Sequence, residues 1–254
     1  MEFDVANWFL VFARVGAILL GLPMFSASHF PVAIRVALAA LLAFLIVPLV
    51  PAYPMAGSSF WSLLHVLAGE VLIGLLLGFI CRMVFLALEM GGGIIANEMG
   101  LSVAPQINPL TGGMSQAPEL IVYWLSVMLF LSLDLHHWTL AAIQRSYVLL
   151  PVGHAHLSES LMLDLVGRTA GVFAISLQIA APLMAVSFVL SLVFSVLGRA
   201  VPQMNVFSES FSIRTIAGLL VFGLSCRFMA EHMSKYLQRL PEDMLRVASI
   251  LANG

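Results

Sequence analysis

Charged residues are scarce in this sequence, and their scarcity excludes an ordinary soluble domain. Asp, Glu, Lys and Arg make up only 9% of the 254 residues, whereas 61% are hydrophobic. Soluble domains are about 25% charged and about 45–50% apolar. A soluble fold of this size could not cover so much apolar surface with so few charges. The composition therefore predicts an all-α membrane protein with several membrane segments.

Lysine and cysteine are also rare. Lys235 is the single lysine and the net charge is -2, which argues against nucleic acid because phosphate binding requires clustered Lys and Arg. Cys81 and Cys226 lie within apolar segments, and neither has a nearby partner in sequence. We therefore expect two buried, free thiols. Catalytic, phosphate-binding and zinc-helix motifs are missing as well, so the sequence indicates neither an enzyme nor a cofactor.

Six apolar blocks run along the chain. A spanning helix requires ~20 apolar residues, and most of the blocks reach that length. The fifth block is too long for one untilted span, and Pro182 near its middle predicts either a kink or a hairpin. The blocks are residues 5–22, 32–50, 61–88, 119–143, 165–197 and 211–229.

The charges at the two ends of the chain do not fit six simple crossings. Glu2 and Asp4 favour an outside N-terminus, whereas the basic tail, with Lys235, Arg239 and Arg246, favours the cytoplasm. Opposite ends require an odd number of crossings. Either one block crosses twice or some blocks do not cross, so we expect an unusual topology.

Three charges lie inside membrane-length blocks. Arg14, Glu70 and Arg82 would each cost about 2.5–3.5 kcal/mol at mid-bilayer without a partner or water. Glu70 and Arg82 would lie roughly 18 Å apart on one straight helix, so they cannot pair with each other. An ion or proton relay and pairing between helices or subunits both remain open, and we favour pairing.

Two further patterns have alternative interpretations. His136 and His137 follow Asp134, but adjacent histidines on a helix point ~100° apart, and a zinc pair prefers i,i+4 spacing. We therefore favour an interfacial polar cluster over a metal site. Two GxxxG pairs predict close helix packing; they are Gly74 with Gly78 and Gly167 with Gly171.

The segment between the third and fourth blocks carries no charge. It reads MGLSVAPQINPLTGGMSQAP over residues 99–118. Irregular backbone at membrane depth is tolerated only against protein or in a water-lined cavity. We therefore expect this loop to lie within an assembly rather than in bulk water.

Five stretches, in order along the chain, resemble the FliR family of the flagellar type III export gate, which also contains the T-type subunit of virulence secretion systems. The pattern GRxxPQMNVF is the most specific of them. PQMNVF and the HHW segment resemble the flagellar branch, although Leu135 stands where the family more often has glycine. The stretches are ARVGAILLGLPMF (13–25) followed by Pro31 and Arg35, GEVLIGLLLGF (69–79), GGGIIANEMGLSVAPQINPLTGG (91–113), LFLSLDLHHWTLAAIQRSYVLLPVG (129–153) and GRAVPQMNVFSESFSI (198–213).

The resemblance implies kinked helical hairpins and a place in a hetero-oligomer. Residues 1–164 would resemble a P-type gate subunit, and residues 165–254 a Q-type hairpin with a cytoplasmic tail. One copy would assemble with about five P-type and four Q-type subunits, beside the B-type switch and A-type export subunits, among the lipids of the bacterial inner membrane at the flagellar basal body. Unfolded flagellar proteins would pass through the channel.

The resemblance also implies two sets of site residues. A plug loop, about residues 104–118, would close the channel with Gln106, Asn108, Pro109, Gly112, Gly113 and Met114. Contacts within the assembly would come from Phe25, Pro31, Arg35, Glu70, Arg82, Arg199, Pro202, Gln203 and Asn205.

Two alternative functions remain open. One is the corresponding gate subunit of a virulence secretion system. The other is a secondary ion or solute transporter, in which Glu70 and Arg82 line a midplane site and the break within residues 165–197 makes a discontinuous helix.

Overall fold

The computed structural model describes residues 4–22, 31–51, 53–54, 59–101, 117–155, 158–201, 203 and 205–253. Within these ranges the regular structure is entirely helical, so the predicted all-α fold is confirmed. A single 3-10 turn, Val47–Leu49, extends the second helix. The helices are α1 (Val5–Gly21), α2 (Val32–Ile46), α3 (Phe60–Glu98), α4 (Ala117–Ser132), α5 (Leu135–Leu149), α6 (Glu159–Ala200), α7 (Val206–Leu237) and α8 (Leu240–Asn253).

Residues at the N-cap positions determine where the first two helices begin. The Asp4 carboxylate accepts hydrogen bonds from the backbone N–H groups of Ala6 and Asn7, at 3.1 and 3.2 Å, and so caps α1. Pro31 precedes α2, where its missing N–H leaves no helical bond unmade. Both helices therefore begin at the edges of the first two predicted blocks.

The fifth block forms one helix, so of the two alternatives predicted at Pro182, a kink or a hairpin, the hairpin is wrong. α6 runs without interruption through Pro182. A proline removes one helical hydrogen bond, but a hairpin also requires further turn-forming residues, and IAAPLMAV contains no Gly, Asn, Asp or Ser beside Pro182. For the whole block, one continuous helix is therefore more favourable than a hairpin.

The fourth block, in contrast, is broken. α4 ends at Ser132 and α5 begins at Leu135, with Asp134 between them in the left-handed conformation at a φ of 54°. Among L residues, Asp and Asn adopt this conformation most readily, because their short polar side chains can bond locally. The spacing of apolar residues in the sequence does not indicate such a break.

Several helices meet the length and composition of a membrane span. Four pass this test, namely residues Val32–Leu49, Phe60–Glu98, Glu159–Ala200 and Ser208–Ala252, and the α4–α5 pair would make a fifth if it counts as one span. Many of their large apolar side chains are exposed on the chain. Lipid or other protein must therefore cover them.

The chain divides into two compact units. The first unit contains Met1–Val84, Leu133–Thr169 and Leu237–Gly254, and the second contains Phe85–Ser132 and Ala170–Tyr236. Both units draw on distant parts of the chain. The predicted boundary at residue 164 concerns likeness to other gate subunits and stays a prediction.

Each unit has its own apolar core. In the first, α1 packs against α2, and the amphipathic α8 packs against α5 with Met244 and Val247 buried. Cys81 is buried there, with its Sγ 3.5 Å from the Met244 Sδ. In the second, Phe85 and Phe130 meet edge to face with ring centroids 5.6 Å apart. Cys226 is only half-buried, so the expectation of two buried thiols holds for Cys81 alone.

Candidate functional site

A fully buried ion pair lies within the first unit. Arg14 of α1 faces Glu70 of α3, and neither side chain is exposed. The guanidinium donates from Nε to Oε2 at 2.6 Å and from Nη2 to Oε1 at 3.0 Å. This fork geometry is the strongest arrangement for an arginine–carboxylate pair. Pairing between helices, the favoured interpretation of the charges in the apolar blocks, is therefore what the structure shows for these two.

The surrounding groups satisfy the rest of the pair. Arg14 Nη1 donates to the Leu150 carbonyl at 3.0 Å, and the N–H of Gly153 donates to Glu70 Oε1 at 3.1 Å. The Tyr147 ring lies over the guanidinium, with its centroid 4.1 Å from Cζ, and its hydroxyl donates to the Val11 carbonyl at 3.3 Å. The cluster thus ties α1 and α3 to the end of α5 and the turn that follows it.

Glycines allow α1 and α3 to approach closely. A Cβ on Gly74 would lie 2.5 Å from the Arg14 carbonyl oxygen, and one on Gly21 would lie 2.1 Å from that of Gly78. The predicted Gly74–Gly78 pair therefore packs against α1. Gly167 and Gly171 behave differently, because an added Cβ on either would meet no atom of the described chain within 4 Å.

The second unit contains an antiparallel hairpin of α6 and α7. Arg214 of α7 donates from Nη2 to Ser191 Oγ at 2.9 Å and from Nη1 to Ser187 Oγ at 3.4 Å. Farther from the turn, His232 Nε2 lies 3.0 Å from Gln178 Oε1. Residues later in α7 contact residues earlier in α6, so the two helices run antiparallel.

Sequence reasoning missed several of these residues. Arg214 lies inside the sixth apolar block, and a charge there was itself a signal that a partner is required. An ionic network joining the starts of α6 and α8 was missed as well. In it, Arg168 bonds Asp164 at 2.5 Å and Asp243 at 2.8 Å, and Arg246 lies 3.2 Å from Asp164.

The predicted assembly residues lie in different environments. Pro31 is exposed, Arg35 and Arg82 are half-buried, and Glu70 is buried in the ion pair. Arg199, Gln203 and Asn205 are exposed around the turn between α6 and α7. Their contacts with other subunits stay predictions.

Asn205 also has a local role in the fold. Its side-chain oxygen accepts a hydrogen bond from the Ser208 N–H at 3.4 Å, and its carbonyl accepts one from Glu209 at 3.2 Å, so it caps α7. The remaining predicted site residues lie outside the described residues. They are Phe25, Pro202 and the plug-loop set Gln106, Asn108, Pro109, Gly112, Gly113 and Met114.

Comparison with known proteins gives matches along nearly the whole chain. The family model described as "Bacterial export proteins, family 1" matches residues 5–240. The flagellar biosynthetic protein FliR of Caulobacter vibrioides is 33% identical over 221 residues, which cover 85% of this chain and 86% of that protein. The FliR of Bacillus subtilis is 30% identical over 215 residues, covering 84% and 83% of the two chains.

A third relative extends the match further. The FliR of Escherichia coli is 27% identical over 241 residues, covering 94% of this chain and 92% of that protein. The family model takes in the buried ion pair, the broken helix and the α6–α7 hairpin, and it stops at the start of α8. The chain therefore belongs to the FliR family of bacterial flagellar export proteins.

Proposed function

We propose that this chain, a component of the flagellar export apparatus, forms and closes the export channel together with P-type and Q-type subunits. One copy would join about five P-type and four Q-type subunits in the inner membrane at the basal body, in contact with B-type and A-type export subunits. The channel would carry unfolded flagellar proteins. The chain itself would supply a structural surface and a plug.

The α6–α7 hairpin carries this proposal. Its outward faces bear apolar stripes at helical spacing, with Phe188, Leu192 and Val196 exposed on α6. On α7 the exposed residues Ile216, Leu220, Leu224 and Phe228 repeat every four positions. A hairpin with apolar stripes on both helices fits the expected Q-type half, because stacked hairpins would cover such stripes.

The turn of the hairpin adds polar groups to these stripes. Arg199 and Gln203 are exposed there, next to the α7 cap at Asn205. Lipid chains could cover the stripes but could not satisfy a guanidinium and an amide. Water or protein must satisfy these groups, and we propose that a neighbouring subunit, which would also cover the stripes, does so at the turn.

The uncharged segment is proposed to be the plug. The described residues on either side of it belong to one unit, with α3 before the segment and α4 after it. Gly100, at a φ of 78°, ends α3, and the N–H of Leu101 bonds the Ala96 carbonyl at 3.0 Å. A Cβ on Gly92 would lie 2.8 Å from Glu119 Cα, so α3 and α4 touch near the loop. The contact between α3 and α4 supports the proposal, because it holds the two helices that flank the segment together within one unit.

The ion pair weighs against the transporter alternative. Glu70 is fully buried and accepts hydrogen bonds from both Arg14 and Gly153. A coupling-ion site requires a carboxylate that an ion can reach and leave. The virulence alternative has less support as well, because the relatives described above are flagellar proteins.

Co-purification tests the assembly. The full chain would be co-expressed with P-type and Q-type subunits, and the complex would be captured through a tag on the Q-type subunit. We expect the wild-type chain in the complex and at least a fivefold loss for Arg199→Glu combined with Gln203→Ala. Arg227→Glu is the matched control, because that side chain is 92% exposed and its one ion pair among the described residues is with Glu231 on its own helix. Equal recovery of all three chains would contradict the proposed contact.

The plug has a separate test. A chain lacking residues 106–115 should still assemble, but its gate should leak ions in liposomes or in cells. A chain in which the same ten positions are replaced by Gly and Ser controls for loop length. Tight sealing by both chains would remove the plug from the proposal without affecting the assembly contacts.

A further inference from the structure

The broken helix leaves a carboxylate available at the start of α5. Asp134 occupies the N-cap position, and its backbone carbonyl accepts hydrogen bonds from the N–H groups of His137 and Trp138, at 3.0 and 3.4 Å. Its side chain makes no capping hydrogen bond within the described chain. The Asp134 carboxylate is 71% exposed and lies 3.7 Å from His137 Nδ1.

The two adjacent histidines do not point apart as a regular helix suggests. Their ring centroids lie 4.0 Å apart and the rings are tilted by 38°. His136 is half-buried, and its Nδ1 atom is buried without a hydrogen-bond partner among the described residues. A buried polar atom of this kind is unfavourable unless a partner satisfies it. The two imidazole rings have rotated toward each other. The ~100° angle between adjacent residues around a helix therefore does not prevent both histidines from binding one ion.

The ligand atoms of the three residues converge. One atom from each of Asp134, His136 and His137 lies within 4.8 Å of the others. A tetrahedral Zn²⁺ with bonds of about 2.0–2.1 Å holds its ligand atoms about 3.3 Å apart. The Asp134–His137 distance of 3.7 Å is already close to that value. Because both side chains are about 70% exposed, small rotations can close the remaining gap toward the more buried His136.

We propose that Asp134, His136 and His137 form a binding site for a divalent transition-metal ion such as Zn²⁺. Two imidazole nitrogens and one carboxylate oxygen suit Zn²⁺, Co²⁺, Ni²⁺ or Cu²⁺ better than Mg²⁺ or Ca²⁺. Three protein ligands leave a coordination position for water. The ion would join the residue that breaks the helix to the first turn of α5, and so hold Asp134 in its left-handed conformation.

Spectroscopic titration tests the site directly. The full-length chain, purified in detergent without a polyhistidine tag, would be titrated with Co²⁺ while visible absorption is recorded. Zn²⁺ would then displace the Co²⁺, and calorimetry would give the stoichiometry. We expect one equivalent of either ion and a visible band that disappears when Zn²⁺ is added.

Matched variants locate the site. Asp134→Asn removes the carboxylate while keeping a residue that tolerates the left-handed conformation, and His137→Ala removes an exposed imidazole. Each should weaken binding by at least about tenfold, because even the loss of an outer-shell partner of a metal ligand costs about 10–100-fold in affinity. His154→Ala is the control, because its Nδ1 faces the Val152 carbonyl at 3.0 Å and lies outside the cluster.

Two results would overturn the proposal. One is the absence of saturable Co²⁺ or Zn²⁺ binding by the wild-type chain. The other is stoichiometric binding that Asp134→Asn and His137→Ala leave unchanged. Since both variants alter exposed side chains, we expect them to fold, and a thermal unfolding curve for each would verify this.

Discussion

Two arginines lie in apolar helices of this chain, and their environments differ. Arg14, in the first unit, is fully buried and pairs with a carboxylate. Arg214, in the second unit, is half-buried and donates to the hydroxyls of Ser187 and Ser191. A guanidinium without access to water requires an opposite charge, whereas one that keeps part of its hydration requires only polar acceptors.

The helix packing also differs between the regions around the two arginines. In the first unit, glycines bring the α1 and α3 backbones together around the ion pair. In the second, long apolar stripes of the α6–α7 hairpin remain exposed. The buried charges of the first unit are therefore satisfied by its own residues, whereas the exposed stripes of the hairpin still require neighbours. Mutations of buried groups should therefore affect stability, most strongly at the ion pair, and mutations of the exposed stripes should affect assembly.

The largest effect is expected from Glu70→Gln. This change keeps the shape of the side chain but leaves the buried Arg14 without a counter-charge, which should destabilise the chain by about 3–5 kcal/mol. Thermal unfolding in detergent and the yield of folded protein would measure the loss. The double variant Arg14→Met with Glu70→Leu should be much less damaging, because it removes both buried charges. Wild-type stability of Glu70→Gln would contradict the buried-pair interpretation.

A smaller effect is expected from Gly74→Ala. The new Cβ would lie 2.5 Å from the Arg14 carbonyl oxygen and 2.6 Å from Ala17 Cβ, and overpacking of this kind costs about 1–3 kcal/mol. Gly69→Ala on the same helix is the matched control, because nothing of the described chain lies within 4 Å of its Cβ. That control should be neutral or slightly stabilising, since alanine favours helix. Equal melting temperatures for the two variants would mean that α1 and α3 do not cross this closely.

Arg214→Ala should reduce stability less than Glu70→Gln does. The arginine is half-buried and loses two hydrogen bonds to hydroxyls, so we expect a loss of about 1–2 kcal/mol. Ser191→Ala, which removes only the 2.9 Å acceptor, should lose about half as much. The same unfolding assay would measure both variants. An Arg214→Ala loss equal to that of Glu70→Gln would erase the contrast between the two arginines.

The smallest effect is expected from neighbouring glycines in the second unit. A Cβ on Gly92 would lie 2.8 Å from Glu119 Cα and 3.1 Å from Val122 Cβ, whereas one on Gly93 would meet no described atom within 4 Å. Gly92→Ala should therefore cost about 1 kcal/mol and Gly93→Ala should cost nothing. Any loss of assembly by Gly93→Ala, at unchanged stability of the isolated chain, would identify a contact with another subunit.

Much of the fold was predictable from local sequence. The apolar blocks all contain helix, and α1 and α2 begin close to their predicted starts because Asp4 and Pro31 act within one turn of themselves. The break at Asp134 was not predictable, because hydropathy does not report a single left-handed residue. Of the kink and the hairpin considered at Pro182, the hairpin was wrong, because one proline without further turn-forming residues does not make a turn.

Some features of the candidate site were likewise predictable from the sequence, and others were not. By itself, the sequence determined the membrane class, the helical segments, the family resemblance and the need of Arg14 and Glu70 for partners, because composition, periodicity and motifs are local properties. Only the tertiary structure decided that those two residues, 56 positions apart, are each other's partners. It likewise decided that the Gly74–Gly78 pair packs against α1, whereas no described residue of this chain lies within 4 Å of a Cβ on Gly167 or Gly171. The physical reason is that both outcomes depend on which helix faces which, and that choice is made by packing across long sequence separations.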